Sequence, residues 1–353
     1  MEHMPELSIV MPFYNKAKYV AEMIDSIIDS TYNDWELLLV DDGATADTLQ
    51  FVMSHATDPH IRYIKRTDPP KGAQKCRNIG LAEAKGVFIV FFDSDDYITP
   101  QCLENRVSAI KSLPEADFVV FPSGTFQNHQ FTPFNTRRPF GYEIYKDDLT
   151  AFLRKTLPFV VWSNIYRTKS LQSRLLTWDE NILSLQDSDF NIHAILSGMK
   201  YAYAQTPPDY GYRIEDNPRS VTNDIVSPHH FDSHLYCLSK FYVSVQSRYG
   251  HHYDYSLYQG VLFIYNKLFS SGIQYQKARK LLDVTKKYSP VFGIIFGIQI
   301  FMTKVLGLFL PKQISFKIPL VVYTIRRWQV EHTSSKRARR LYKKIRGESH
   351  NGK

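Results

Sequence analysis

A chain of 353 residues is long enough to bury a full core, and 44% hydrophobic against 22% charged residues excludes a disordered or fibrous polymer. Three widely spaced cysteines, Cys76, Cys102 and Cys237, support neither a disulfide framework nor a cysteine metal site, so a reducing compartment is expected. The net charge of +8 is confined to one end: residues 326–353 hold ten Lys or Arg against two acids, leaving 33 of each sign in residues 1–325. A basic tail on a neutral body points to an anionic partner, a phospholipid surface or nucleic acid.

In chain order, the opening "MEHMPELSIVMPFYN" has no basic segment leading into an apolar one, so no signal peptide is expected there and the catalytic part is expected in the cytoplasm. Residues 7–12 ("LSIVMP") predict a buried strand, 17–30 a helix with Val20, Ile24, Ile27 and Ile28 on one face, and 35–40 ("WELLLV") a second strand. A helix near 45–54, a strand at 61–65, a helix over 73–84 and a strand at 87–92 ("VFIVFF") follow. Continuous apolar strands alternating with helices predict an α/β fold whose largely parallel sheet is covered on both faces. Beyond Pro100 come a helix over 101–111, a strand at 117–122 and a polar, aromatic loop through Arg138. Asn217-Pro218 and Ser227-Pro228 mark a boundary, giving an expected domain over 1–223 and a helical region over 224–353.

Within that region, "VFGIIFGIQIFMTKVLGLFL" (291–310) is the most hydrophobic window. Gln299 and Lys304 interrupt it, and a central Lys costs roughly 3 kcal/mol in a bilayer. The apolar stretch 291–325 and the basic tail 326–346 therefore predict a helix lying in the headgroups of an anionic cytoplasmic leaflet, against the alternative of a buried helix in a soluble helical domain.

Two predicted strands end in acids: "LLLVDDGAT" delivers Asp41 and Asp42, and "VFFDSDD" delivers Asp93, Asp95 and Asp96. In an open parallel sheet, ligands bind beyond the carboxyl ends of strands where the strand order switches. Carboxylates crowded at one such edge destabilise it unless a cation neutralises them, and a D-x-D set of hard oxygens suits Mg²⁺ or Mn²⁺ held jointly with substrate phosphates. Helix capping would explain one acid pair, but not two on neighbouring turns.

"SIVMPFYNKAKYV", "WELLLVDDGAT", "KCRNIGLAEAKGVFIVFFDSDD" and "LQDSDFN", in this order over residues 7–215, resemble a family 2 glycosyltransferase of the GT-A fold, inverting and of the bacterial surface-polysaccharide type. The resemblance implies a Rossmann-like sheet and a nucleotide diphosphate sugar, with UDP favoured. Pro12, Phe13, Tyr14 and Asn15 would border base and ribose, with Asp42, or Asp41 in exchanged roles, receiving the ring N–H of the base. Arg77 would lie near phosphate, and Ser94 beside the donor. Asp93 and Asp95 would seat the cation and ribose, with Asp96 behind them. The family's usual Glu-Asp is here Gln186-Asp187, and Asp187 is the expected general base, with Asp189 its rival. Trp162 stands where an aromatic often lines the acceptor cleft, with core packing as the equal alternative, and Arg213 and Arg219 are candidates for gripping diphosphate from a closing loop.

His229, His230 and His234 lack companion ligands for zinc, and His193 is expected only to pack. The expected acceptor is a glycan or lipid-linked glycan at the inner membrane face. A nucleotidyltransferase would need a Gly-rich basic loop in place of "PFYNKAKY", and an aspartyl phosphatase a Thr where Asp96 stands. A nucleic-acid module would use Tyr323, Trp328 and Tyr342 among the tail's basic residues; no nucleic-acid partner is expected.

Overall fold

The computed structural model describes residues 4–134, 139–214, 225, 227–270, 274–311, 314 and 317–347. Its first half is a series of βα units: β1 (Leu7–Phe13), α1 (Ala17–Ile28), β2 (Trp35–Asp41), α2 (Ala46–His55), β3 (Ile61–Lys65), α3 (Ala73–Glu83) and β4 (Phe88–Phe91). The chain continues through β5 (Tyr97–Ile98), α4 (Cys102–Ser112), β6 (Phe118–Val120), β7 (Ser123–Gln127), β8 (Gln130–Thr132) and α5 (Asp148–Leu153). Next come β9 (Asn164–Arg167), α6 (Thr168–Ser173), α7 (Gln186–Leu196), β10 (Tyr201–Tyr203) and β11 (Tyr210–Arg213). Four long helices and a fifth of 14 residues complete the described chain: α8 (Pro228–Tyr249), α9 (Asp254–Ser270), α10 (Tyr275–Tyr288), α11 (Pro290–Leu306) and α12 (Val321–Ile345).

Seven strands form the main sheet in the order β10-β6-β9-β4-β1-β2-β3. All neighbours are parallel except β9, which runs antiparallel to both β4 and β6. The chain leaves β1 toward β2 and β3, then returns to lay β4 on the other side of β1. That reversal opens a crevice at the carboxyl ends of β1, β2 and β4, where an α/β sheet accepts its ligand.

The strands are apolar without interruption because the sheet is buried on both faces. Val10, Leu38, Ile89 and Phe91 point into one cluster, while their alternates Ile9, Met11, Leu37, Leu39, Val90 and Phe92 point into the other. α3 lies tight against β1: a Cβ on Gly80 would meet Val10 Cγ1 at 2.3 Å. The first cluster runs on without a break into Phe231, Cys237, Tyr265 and Phe296. The C-terminal helices thus share a core with the sheet, across the boundary that the Asn-Pro and Ser-Pro pairs predict at 223/224.

The structure departs from these expectations in two places. The loop expected through Arg138 contains the hairpin β7–β8, which joins β5 and β11 in a second, four-stranded sheet ordered β5-β11-β7-β8. "SGTFQ" has too little alternation to announce a strand, and its pairing with β11, 87 positions on at Tyr210↔Ser123, creates it. The antiparallel insertion β9 was not expected either. Among the described residues no helix is long and apolar enough to cross a membrane.

Candidate active site

β1 ends in buried Pro12 and Phe13, and the chain then turns through Asn15 and Lys16, whose φ angles of 52° and 55° are both left-handed. Asn tolerates that region well, and its Oδ1 accepts from the Thr45 amide at 3.2 Å, which ties the turn to the one after β2. Tyr14 projects outward with the Lys71 ammonium 3.1 Å from its ring centre, and Lys71 lowers the phenol's pKa.

The two acids after β2 separate in role. Asp41 Oδ1 accepts from the amides of Gly43 and Ala44 at 2.9 and 2.7 Å, and its Oδ2 accepts from the Tyr63 hydroxyl at 2.9 Å, so this carboxylate builds the turn. Asp42 Oδ1 accepts from Arg66 Nε at 2.6 Å and from the Gly72 amide at 3.0 Å. Arg66 and Lys71 both flank this corner, and neither was singled out by the sequence reading. Their one hint was a basic, Pro-Gly-rich turn, "KRTDPPKG", between β3 and α3.

At the end of β4, Asp93 Oδ1 accepts from a terminal nitrogen of Arg77 at 2.6 Å. That guanidinium lies 4.4 Å over the Trp178 ring, and its other terminal nitrogen donates to Gln186 Oε1 at 3.2 Å. Ser94 is half-buried in the turn, and Asp95 Oδ2 pairs with Lys16 Nζ at 2.8 Å. Asp96 is buried, accepting from the Tyr210 hydroxyl at 2.8 Å and the Arg213 amide at 2.7 Å. Burial pushes Asp93 above the usual carboxylate range against the pull of Arg77, with Asp95 adding to the rise. Asp96 is pushed much further by burial and then by Asp95 and Asp93. Crowded acids of this kind call for positive charge.

The donor set fits a divalent hard cation. Asp93 and Asp95 offer carboxylate oxygens at one turn, while among the described residues no cluster of three or more His, Cys, Asp or Glu forms that could hold a metal by itself. An ion seated there would draw its remaining oxygens from a ligand and water, as Mg²⁺ and Mn²⁺ commonly do.

α7 brings the last acid to the same edge. Leu185, in the left-handed region at φ 70°, turns the chain into the helix, so that Asp187 sits in its first turn. Asp187 Oδ1 accepts from the Val161 amide at 3.4 Å. Burial lifts its pKa to about 6, against Arg77, with the Asp93 charge contributing to the rise. Gln186 is fixed beside it by a hydrogen bond, its side-chain nitrogen donating to Gln74 Oε1 of α3 at 3.0 Å. Gln74, Trp178 and Tyr210 thus touch the candidate residues Gln186, Arg77 and Asp96, and no local pattern marks them.

Three expected residues are engaged by other partners. Trp162 is buried, stacked on Tyr210 at 4.5 Å and 9°, and packs the core instead of lining a cleft. Arg213 does not face the crevice as a free grip: its guanidinium donates to Glu22 at 2.8 Å and to the Asp95 carbonyl, bracing the acidic turn from behind. Asp189, the rival base, is buried and held by Lys240 of α8 at 2.9 Å, so it joins the C-terminal helices to α7. Arg219 lies outside the described residues. Of the histidines, His230 Nδ1 lies 2.7 Å from Ser184 Oγ, His193 Nδ1 lies 2.8 Å from the Asp189 carbonyl, and buried His234 is held neutral, its pKa pulled down to about 3 by burial and by Lys155.

Residues 8–175 match the model described as Glycosyl transferase family 2. The chain carries a family 2 glycosyltransferase domain. It is similar to the uncharacterized glycosyltransferase EpsJ of Bacillus subtilis, 27% identical over 70% of this chain and 71% of that protein. It is also similar to the poly(ribitol-phosphate) beta-N-acetylglucosaminyltransferase TarS of Staphylococcus aureus, 25% identical over 65% of this chain but 39% of that protein. A crystal structure of TarS 1–349 in complex with UDP-GlcNAc has a TM-score of 0.60 at 19% identity, covering 98% of this chain and 93% of that one. The fold is thus the GT-A fold of TarS.

Proposed function

We propose that this glycosyltransferase moves a sugar, with inversion, from a UDP-sugar to a hydroxyl of a glycan or lipid-linked glycan in surface polysaccharide synthesis. The observation that carries the reading is the convergence of Asp187, Arg77 and Asp93 at the carboxyl end of β4. Tyr14 and Asp42 would receive the base, and Asp93 with Asp95 would seat Mn²⁺ or Mg²⁺. Bound there, the ion supplies charge neutralisation for the departing diphosphate. Asp187 takes the proton of the acceptor hydroxyl as that oxygen bonds to the anomeric carbon and the bond from that carbon to the diphosphate oxygen breaks. A carboxylate with a pKa near 6 is basic enough to share that proton and still ionised at neutral pH.

The acceptor's setting is read from α11 and α12. On α11 one stripe (Gly293, Phe296, Ile300, Thr303) faces the core, while Ile294, Ile298, Phe301 and Val305 face outward, Phe301 at 66% exposure. Phe309 beyond it is 79% exposed, and α12 presents Val322, Ile325 and Trp328, with Trp328 at 61%. Monomers rarely leave so long an apolar face in water. With the run of Lys and Arg through 336–346, it supports seating on the anionic inner face of the cell membrane, where a lipid-linked acceptor is presented.

A screen of nucleotide sugars with Mn²⁺, read by product formation with wild type and Asp187→Asn, tests the reaction; donor binding with full transfer in the variant would remove Asp187 from it. Flotation with anionic and neutral vesicles tests the surface. A Phe301→Ser/Phe309→Ser variant should stay in solution; a chain that self-associates through this face and ignores vesicles would overturn the membrane reading.

A further inference from the structure

Lys16 occupies a position that the reaction described so far does not use. It is the last residue of the turn after β1, it enters α1 in a left-handed conformation, and its side chain does not cap that helix. Its ammonium pairs instead with Asp95 Oδ2 at 2.8 Å, across 79 positions of sequence. Both acids of the D-x-D are therefore matched by a cation of the protein's own, but in unlike ways. The Arg77 side chain is 9% exposed and pinned by Trp178 and Gln186, so its pair with Asp93 is a fixed part of the wall. Lys16 and Asp95 are 48% and 38% exposed, and a pair that open to water is weak and readily exchanged. Asp95 itself stays in place, because Arg213 holds its carbonyl and the amide of Arg213 holds Asp96.

We infer that Lys16 is a built-in placeholder at the cation seat: a divalent ion gains Asp95 only by displacing the Lys16 ammonium, which then turns to the diphosphate that arrives with the ion. The inference rests on the reading of Asp93 and Asp95 as the seat. Its consequence is an ordered loading. With Lys16 on Asp95, the bare protein discriminates against the ion alone, and the ion together with a nucleotide diphosphate offers Lys16 a second anion in exchange. Lys16 is thus a positioning residue, which tunes when the ion binds.

The test is a Mn²⁺ titration followed by electron paramagnetic resonance, without and with UDP, on the full chain and on Lys16→Gln, Lys71→Gln and Asp95→Asn. Lys71 controls for loss of one positive charge at this edge, since its ammonium rests on the Tyr14 ring. Without UDP, Lys16→Gln should bind Mn²⁺ at least about five-fold more tightly than wild type, the factor for two unit charges about 4 Å apart in water and so a lower bound for a divalent ion. Lys71→Gln should change by less than about two-fold, because it is Lys16 and not Lys71 that pairs with Asp95. The factor by which UDP strengthens Mn²⁺ binding should be smaller in Lys16→Gln than in wild type. Binding that requires Asp95 yet is indifferent to Lys16, or rises equally in both lysine variants, overturns the placeholder and leaves the cation seat standing. Mn²⁺ binding unchanged by Asp95→Asn, with or without UDP, overturns both.

Discussion

Asp93 accepts a terminal N–H of Arg77 at 2.6 Å, joining the end of β4 to the buried face of α3. The guanidinium serves this acid, the Trp178 ring and Gln186 at once, a set of contacts that a planar fork can meet and an ammonium cannot. Arg77→Lys should therefore fold yet lose about ten-fold or more in kcat/KM, the equivalent of one charge-assisted hydrogen bond. Steady-state kinetics beside circular dichroism checks this; wild-type kcat/KM in the variant would detach Arg77 from the reaction.

The pH profile should report Asp187. Burial, with Asp93 adding and Arg77 opposing, raises its pKa from 3.8 to about 6, so transfer should climb with pH through about 6 and level off above it. Asp187→Asn should abolish that limb with the residual rate. Stability runs the other way. Because the folded value lies above the unfolded one, this carboxyl favours the folded state fully below 3.8, and the contribution is gone once pH has risen through about 6. Asp187→Asn lacks this titration, so its stability relative to wild type in urea titrations should rise between pH 4 and pH 7.5.

Gln186 stands where the resemblance leads one to expect Glu, and its surroundings give the reason. Its amide nitrogen faces the Gln74 Oε1 at 3.0 Å and the carbonyls of Leu183 and Ile182 at 3.3 and 3.4 Å. A carboxylate would set its negative oxygens against those three. Gln186→Glu should cost about 1 kcal/mol at pH 8, the scale for a hydrogen bond lost by a half-buried group. The loss should shrink as pH falls and the new carboxyl takes a proton. Equal stability of variant and wild type across pH 5–8 would contradict the geometry.

Trp162 separates packing from recognition. Stacked on Tyr210 and edge-on to Phe140 at 6.0 Å, it should destabilise the fold by about 3–5 kcal/mol when truncated to Ala, as large aromatic cavities do. In the fraction that remains folded at low temperature, KM for the acceptor should be close to that of wild type. A stable Trp162→Ala protein with a raised acceptor KM would return this residue to the cleft.

What the sequence determined by itself is whatever neighbouring residues settle among themselves. Continuous apolar strands, the helices between them and the acids at their ends are local patterns, and they sufficed for the parallel half of the sheet, its coverage on both faces and the edge on which Asp42, Asp93 and Asp95 gather. The tertiary structure decided the partners. Asp42 meets Arg66, Asp95 meets Lys16, and Asp189 meets Lys240 across 24, 79 and 51 positions, and no local pattern encodes such pairings. The strand β7 exists because β11 pairs with it, and Trp162 is core because Tyr210 covers it. Side-chain types reveal what chemistry is available; which of these groups are neutralised, buried or left facing the crevice depends on distances that only the folded chain sets.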